Sequence, residues 1–324
     1  MFWLWAGFFV LILILLALDL GVFHRRTHEI GMKEAFGWTA FWIVLGLGFS
    51  GVVYLVYEHQ WMGAELVPDR HMLASAGAEA VLRYLTGYLL EKSLSLDNMF
   101  VMSVIFAALQ VPNLHQHRVL FWGIIGALVF RTLFIGGGVW LVKHFTWTLY
   151  LFGALLVFSG VRMLVRRKDA DPEKSWFLRL SRRLLPVTSG PHEGHFTVVE
   201  DGRRKFTQLA LALVAIEAAD VVFAVDSVPA ILAITTDSFI VITSNVFAIL
   251  GLRSLYFVLA NMISRFHYLK VALSLLLVII GAKMLLHRLL HIPNLVSLGV
   301  IVGVVAVGIV ASLLRPERGS EDVE

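Results

Sequence analysis

Between Glu217 and Pro229 the chain reads E-A-A-D-V-V-F-A-V-D-S-V-P, which sets three carboxylates (Glu217, Asp220, Asp226) inside an apolar run from Leu209 to Ile234. A second apolar run carries Glu91, Lys92, Ser95, Asp97 and Asn98 in the stretch E-K-S-L-S-L-D-N. A charged side chain near a bilayer midplane costs roughly 2.5–3.5 kcal/mol on insertion scales, so acids in such runs need partners or a purpose. Glu91, Ser95 and Asn98 are spaced i, i+4, i+7 and share one helical face, as Glu217 and Asp220 do at i, i+3. Five acids (Glu91, Asp97, Glu217, Asp220, Asp226) and three bases (Lys92, Arg131, Arg253) sum to −2, which one divalent cation neutralises. Carboxylate, amide and carbonyl oxygens without sulfur are hard ligands that suit Mn²⁺, Ca²⁺ or Mg²⁺. The expected metal-binding set is Glu91, Asp97, Asn98, Glu217, Asp220 and Asp226. Lys92, Ser95, Arg131, Arg253 and Asp19 are expected to support it, Arg131 and Arg253 as counter-ions or gates and Asp19 as support or as an interface residue. Carboxylates that take up protons when the metal leaves would give metal–proton exchange.

The elements that must hold these groups are membrane helices. Of 324 residues 58% are hydrophobic and 15% charged, far from the balance of a soluble domain. The basic residues gather at the ends of apolar runs, which gives no nucleic-acid stripe. No cysteine is present, so disulfides and thiol redox chemistry are excluded. Nine segments have the length and apolarity of a span: about 3–23, 38–57, 79–108, 118–142, 147–166, 207–234, 239–262, 269–287 and 293–314. The fold class is therefore all-α, a polytopic helical membrane protein. The first run lacks a basic leader and a small-residue cleavage site, and it reads as a retained span. With the loop after span one on the cytoplasmic side, 19 of the 27 basic residues fall on that face and four on the other. That places the N-terminus outside and the C-terminus in the cytoplasm.

Order repeats within the chain. Asp97 opens D-N-M-F and Asp220 opens D-V-V-F; Arg131 opens R-T-L-F and Arg253 opens R-S-L-Y; Gly160 opens G-V-R-M-L and Gly281 opens G-A-K-M-L. The Asp-to-Arg separations are 34 and 33 residues, and the Arg-to-Gly separations 29 and 28. With the charge-derived orientation, spans 3–5 and 6–8 become inverted copies, the build in which transporters hold substrate near the midplane. The expected organisation is one membrane domain, 1–324: flanking helices (1–78), repeat one (79–166), a cytoplasmic loop (167–206), inverted repeat two (207–290), and helix nine with a tail (291–324). Pro229 predicts a helix loosened at Asp226–Val228, which would turn Asp226 back toward the other acids. The long loop predicts a surface helix near 176–185 and a hairpin around Asp201-Gly202, with His192, Glu193 and His195 as solvated side chains. Glu79 reads as a solvated edge residue, and Asn245 and Asn261 as polar contacts between helices.

The stretches Glu91–Asn98, Glu217–Pro229 and S-N-V-F-A-I-L-G-L-R-S-L-Y-F (Ser244–Phe257) resemble the signatures of the TerC family of bacterial membrane proteins, most closely its nine-span Alx branch. The resemblance covers nearly the whole chain, and it sets the family's acidic residues on Glu91, Asp97, Glu217, Asp220 and Asp226. It implies alkaline response and manganese export for this branch, beside older descriptions of the family in tellurite resistance and redox modulation. The redox description finds no cysteine or cofactor motif here. Taken together, the expectation is a multi-pass inner-membrane exporter of Mn²⁺ (or Ca²⁺ or Mg²⁺), with protons as exchange partner and the lipid bilayer as surroundings. No organic cofactor, nucleic acid or enzymatic step is expected, and protein partners are left open. The other class of reading is a membrane scaffold or stress-response factor that retains a structural ion.

Overall fold

A computed structural model describes residues 2–21, 31–64, 75–165, 188, 194–200, 203–260, 267–286 and 292–314. Among the described residues there are ten α-helices: α1 (Phe2–Gly21), α2 (Met32–Glu58), α3 (Ala76–Ala108), α4 (Asn113–His144), α5 (Trp147–Val165), α6 (Gln208–Leu232), α7 (Ser238–Ile249), α8 (Leu252–Ala260), α9 (His267–Leu285) and α10 (Asn294–Leu314). Seven of them are long and apolar enough to cross a membrane, and eight spans result when α7 and α8, bent by 44°, count as one. This is an all-helical integral membrane architecture. α3 falls outside that count although its 33 residues would reach about 50 Å at 1.5 Å per residue. Its charges (Glu79, Arg83, Glu91, Lys92, Asp97) lower its apolarity, and most of them are covered by other helices.

Hydroxyls inside these helices fold back on their own backbone. Thr86 donates to the Leu82 carbonyl at 2.6 Å, Ser93 to Leu89 at 2.7 Å and Thr132 to Leu128 at 2.7 Å. That is the cheapest way to keep a hydroxyl paired where water is absent. Helix starts are capped by side chains: Thr207 accepts from Ala210 N–H, and Asp237 accepts from Phe239 N–H at 2.9 Å and Ile240 N–H at 3.1 Å. The Tyr57 hydroxyl donates to Asp237 at 2.7 Å, which ties α2 to the start of α7.

α6 is the hub. Its residues enter all three buried apolar clusters, whereas α1 and α10 show most of their surface outward. α3 and α6 run antiparallel: Gly87 meets Ile231, while Ile105 and Phe106 share a cluster with Leu209 and Leu211. The pair α5 and α9 is also antiparallel, and glycine allows its close approach. A Cβ on Gly160 would lie 2.7 Å from the Ser274 carbonyl oxygen, and one on Gly153 would lie 3.0 Å from that of Gly281. Small residues at a contact let backbones approach this closely, which is how membrane helices associate without a hydrophobic drive.

The hairpin expected in the long loop is present. β1 (Thr197–Glu200) pairs antiparallel with β2 (Arg203–Phe206), Glu200 opposite Arg203. The surface helix near 176–185, His192, Glu193, Asn261 and the tail lie outside the described residues. Two expectations need correction. Pro229 does not open its helix: α6 is continuous from Gln208 to Leu232 with the proline inside it. The break lies instead in the next span, where Gly251 takes φ +81° between α7 and α8. Glu79 is not solvated. It is 2% exposed, pairs with Arg83 at 2.8 Å and accepts from Asn294 Nδ2 at 3.0 Å.

Candidate cation site

The antiparallel contact of α3 and α6 brings Glu91, Asn98 and Asp220 together, and α4 adds Arg131 between them. Arg131 is 1% exposed, Glu91 1% and Asp220 5%. The guanidinium donates from Nε to Asp220 Oδ2 at 3.1 Å and from one terminal nitrogen to Oδ1 at 2.8 Å. Its other terminal nitrogen meets Glu91 Oε1. One fork thus spans two carboxylates on two helices, the bidentate geometry that arginine suits and lysine does not. Asn98 Nδ2 approaches Asp220 Oδ1 at 3.4 Å, long for a hydrogen bond. Ser95 shares the buried face predicted by its spacing, but its hydroxyl turns back to the Glu91 carbonyl at 2.8 Å.

Glu217 lies within electrostatic reach of Asp220, one turn earlier on α6. Its carboxylate packs against Gly126 of α4, where any Cβ would overlap it. Its buried Oε2 has no hydrogen-bond partner among the described residues. Gly126, which meets the Glu217 carboxylate, lies five positions before Arg131 on α4. Sequence reasoning passed over Gly126; the signal was a glycine one helical turn and a half before the intramembrane arginine.

Asp97 and Asp226 form a separate neighbourhood. Asp226 accepts from Ser159 Oγ of α5 at 2.6 Å and is within electrostatic reach of Arg162. Asp97 is within such reach of Asp226 and of Lys270 on α9. The six expected ligands thus fall into two groups, not one, because an unbroken α6 leaves Asp226 facing away from Asp220. Among the described residues, no three Asp, Glu or His side chains converge as a metal-holding group.

The remaining charged residues take other work. Lys92 pairs with no acid among the described residues; its Nζ donates to the carbonyls of Ala248 at 3.1 Å and Leu250 at 3.4 Å. Those carbonyls are left without helical partners at the break after α7, and the cation also suits a helix C-terminus. Arg253 donates to Asp19 of α1 at 2.7 Å, beside a cavity of about 20 Å³ that Gly251 and Trp42 also line. Asn245 is 1% exposed, and its amide has no hydrogen-bond partner among the described residues, so it does not act as a polar link there.

Comparison with known proteins gives the family. The family model "Integral membrane protein TerC family" matches residues 76–320, which include every helix of both acidic groups. An uncharacterized membrane protein of Myxococcus xanthus is 47% identical over 313 residues, covering 96% of this chain and 92% of its own. The Escherichia coli (strain K12) protein provisionally named membrane-bound redox modulator Alx is 44% identical over 309 residues, covering 93% and 91%. An uncharacterized membrane protein of Rickettsia felis is 40% identical over 312 residues, covering 96% and 97%. No solved structure matches the chain. By family match and by full-length identity, the chain belongs to the TerC family of integral membrane proteins.

Proposed function

We propose that this protein exports a divalent metal cation across the bacterial inner membrane, with Mn²⁺ as the cargo that fits best. The observation that carries the reading is a buried carboxylate pair, Glu91 and Asp220, held on two antiparallel helices, with the half-buried Glu217 one turn before Asp220 on α6. Groups of this kind are costly inside a membrane, and apolar packing would build a scaffold at lower cost. All the donors are oxygen, which suits Mn²⁺, Ca²⁺ and Mg²⁺ alike. Nine spans follow if α3 is the ninth, with the N-terminus outside. An inverted relation of spans 3–5 to spans 6–8 is supported by two contacts that exchange under the repeat offset, Gly160 with Ser274 and Gly153 with Gly281. Metal enters from the cytoplasm, binds where α3 and α6 cross, and leaves outward as one repeat rocks on the other. Asp97 and Asp226 lie along the same helices and serve as the acids that take up returning protons.

The name redox modulator given to relatives finds no thiol here, since the chain has no cysteine. A second reading, a stress-response scaffold, is favoured by the ion pairs Arg131–Asp220 and Arg253–Asp19, which tie helices together. Total cell manganese separates the two. Expression in a manganese-sensitive bacterium is expected to lower it, and Asp97→Asn and Asp220→Asn to abolish that drop at unchanged protein level. Equal manganese with and without the chain would overturn the exporter reading.

A further inference from the structure

We infer that Arg131 is a tethered stand-in for the cargo, and that Glu217 is where its guanidinium parks while the ion is bound. This rests on the exporter reading of the same site.

A counter-ion needs only one acid to offset its charge. Arg131 does something different. It divides its nitrogens between Glu91 on α3 and Asp220 on α6, the two helices whose contact forms the candidate site. A guanidinium cannot give up its proton in a protein, so it is a permanent cation. Seated between the two carboxylates, it keeps them from facing each other bare when no ion is there. The same seating blocks an ion, because both carboxylates are already committed.

For the ion to enter, the guanidinium must leave without becoming an unpaired charge in the membrane. Glu217 meets that need. It lies on the same side of α6 as Asp220, three residues earlier, and Gly126 gives its carboxylate room against the helix that carries Arg131. Its Oε2 is buried with no donor among the described residues, the place an arginine nitrogen would fill. A swing of Arg131 from Asp220 to Glu217 frees Glu91, Asp220 and the Asn98 amide together. With the three acids and Arg131 summing to −2, a divalent ion in the vacated seat brings the group to neutrality. When the ion departs, the arginine returns and the empty carrier is reset.

The test is equilibrium binding of Mn²⁺ to the purified full-length chain in detergent, read from the electron-spin resonance signal of free Mn²⁺. Arg131→Gln removes the competitor, and binding is expected to tighten about tenfold or more. Glu217→Gln removes the parking place, and binding is expected to weaken by a similar factor. In the Arg131→Gln background Glu217→Gln is expected to have little effect, since no arginine is left to park. Equal weakening in both backgrounds would make Glu217 an ordinary ligand and overturn the parking role. Unchanged or weaker binding by folded Arg131→Gln would overturn the stand-in role. If Arg131→Gln does not fold, Arg131→Lys carries the same test, because a single ammonium cannot fork across two carboxylates and a severalfold tightening is expected; unchanged or weaker binding would overturn the role. Failure of the wild-type chain to bind Mn²⁺ at all would instead remove the exporter reading itself.

Discussion

Arg131 and Arg253 occupy matching places in the repeated order of the sequence, yet their surroundings share almost nothing. Arg131 sits on α4, which is unbroken from Asn113 to His144, and reaches two acids on α3 and α6. Arg253 sits two residues past the break at Gly251 and reaches Asp19 on the first helix, outside the repeat. The partner that the repeat would give Arg253 is Asp97, and Asp97 is instead turned toward Asp226 and Lys270. A repeat preserved in sequence has therefore been put to two uses. Arg131 of the first half closes a compact charged centre with α3 and with α6 of the second. The other half has a bent span whose free carbonyls are covered by Lys92 and whose second segment is tied to the periphery.

The contrast can be broken most severely at the acids. Asp220→Leu removes both hydrogen bonds that Arg131 makes to α6, and is expected to destabilise the fold by about 3–5 kcal/mol, against about 1–3 kcal/mol for Asp19→Leu at the more exposed pair. Thermal unfolding of the two variants in the same detergent ranks them; equal losses would erase the distinction between centre and periphery. Next comes the hinge. Gly251→Ala meets both a left-handed φ and the Trp42 side chain, with its Cβ 2.5 Å from that of Trp42, and should cost about 3 kcal/mol. Gly136→Ala on unbroken α4, where nothing lies within 4 Å, should stabilise by about 0.5–1 kcal/mol. A smaller effect is expected from Lys92→Met, which uncovers the carbonyls of Ala248 and Leu250 and should cost about 1–3 kcal/mol. Amide exchange confined to residues 246–255 would show that loss as local opening of the break. Ser159→Ala removes one hydrogen bond to Asp226 and should cost only about 1 kcal/mol.

Much of this was legible in the residues, and the misses have physical causes. The helices announced themselves by length and apolarity, and Asp201-Gly202 between alternating residues announced the hairpin. The i, i+4, i+7 spacing of Glu91, Ser95 and Asn98 correctly gave one buried face, because helical geometry leaves no other outcome. What spacing cannot give is which of several acids an arginine chooses, since that depends on how neighbouring helices cross. Pro229 misled because a membrane helix can accommodate a proline when neighbours pack around it. Val228 and Pro229 are both buried in this way. The true break was marked by Gly251, which follows α7 as a left-handed capping residue but is hidden in an unbroken apolar run. Lys92 was misassigned for the same reason: the carbonyls it covers exist only because the span breaks there.

Flux of Mn²⁺ into proteoliposomes holding the purified chain, followed by an enclosed Mn²⁺-quenched dye, tests the central claim most directly. The wild-type chain and Asp19→Asn should both carry Mn²⁺, while Glu91→Gln and Asp220→Asn should carry none despite normal incorporation. Flux through Glu91→Gln or Asp220→Asn at the wild-type rate, or no flux through the wild type, would contradict the account.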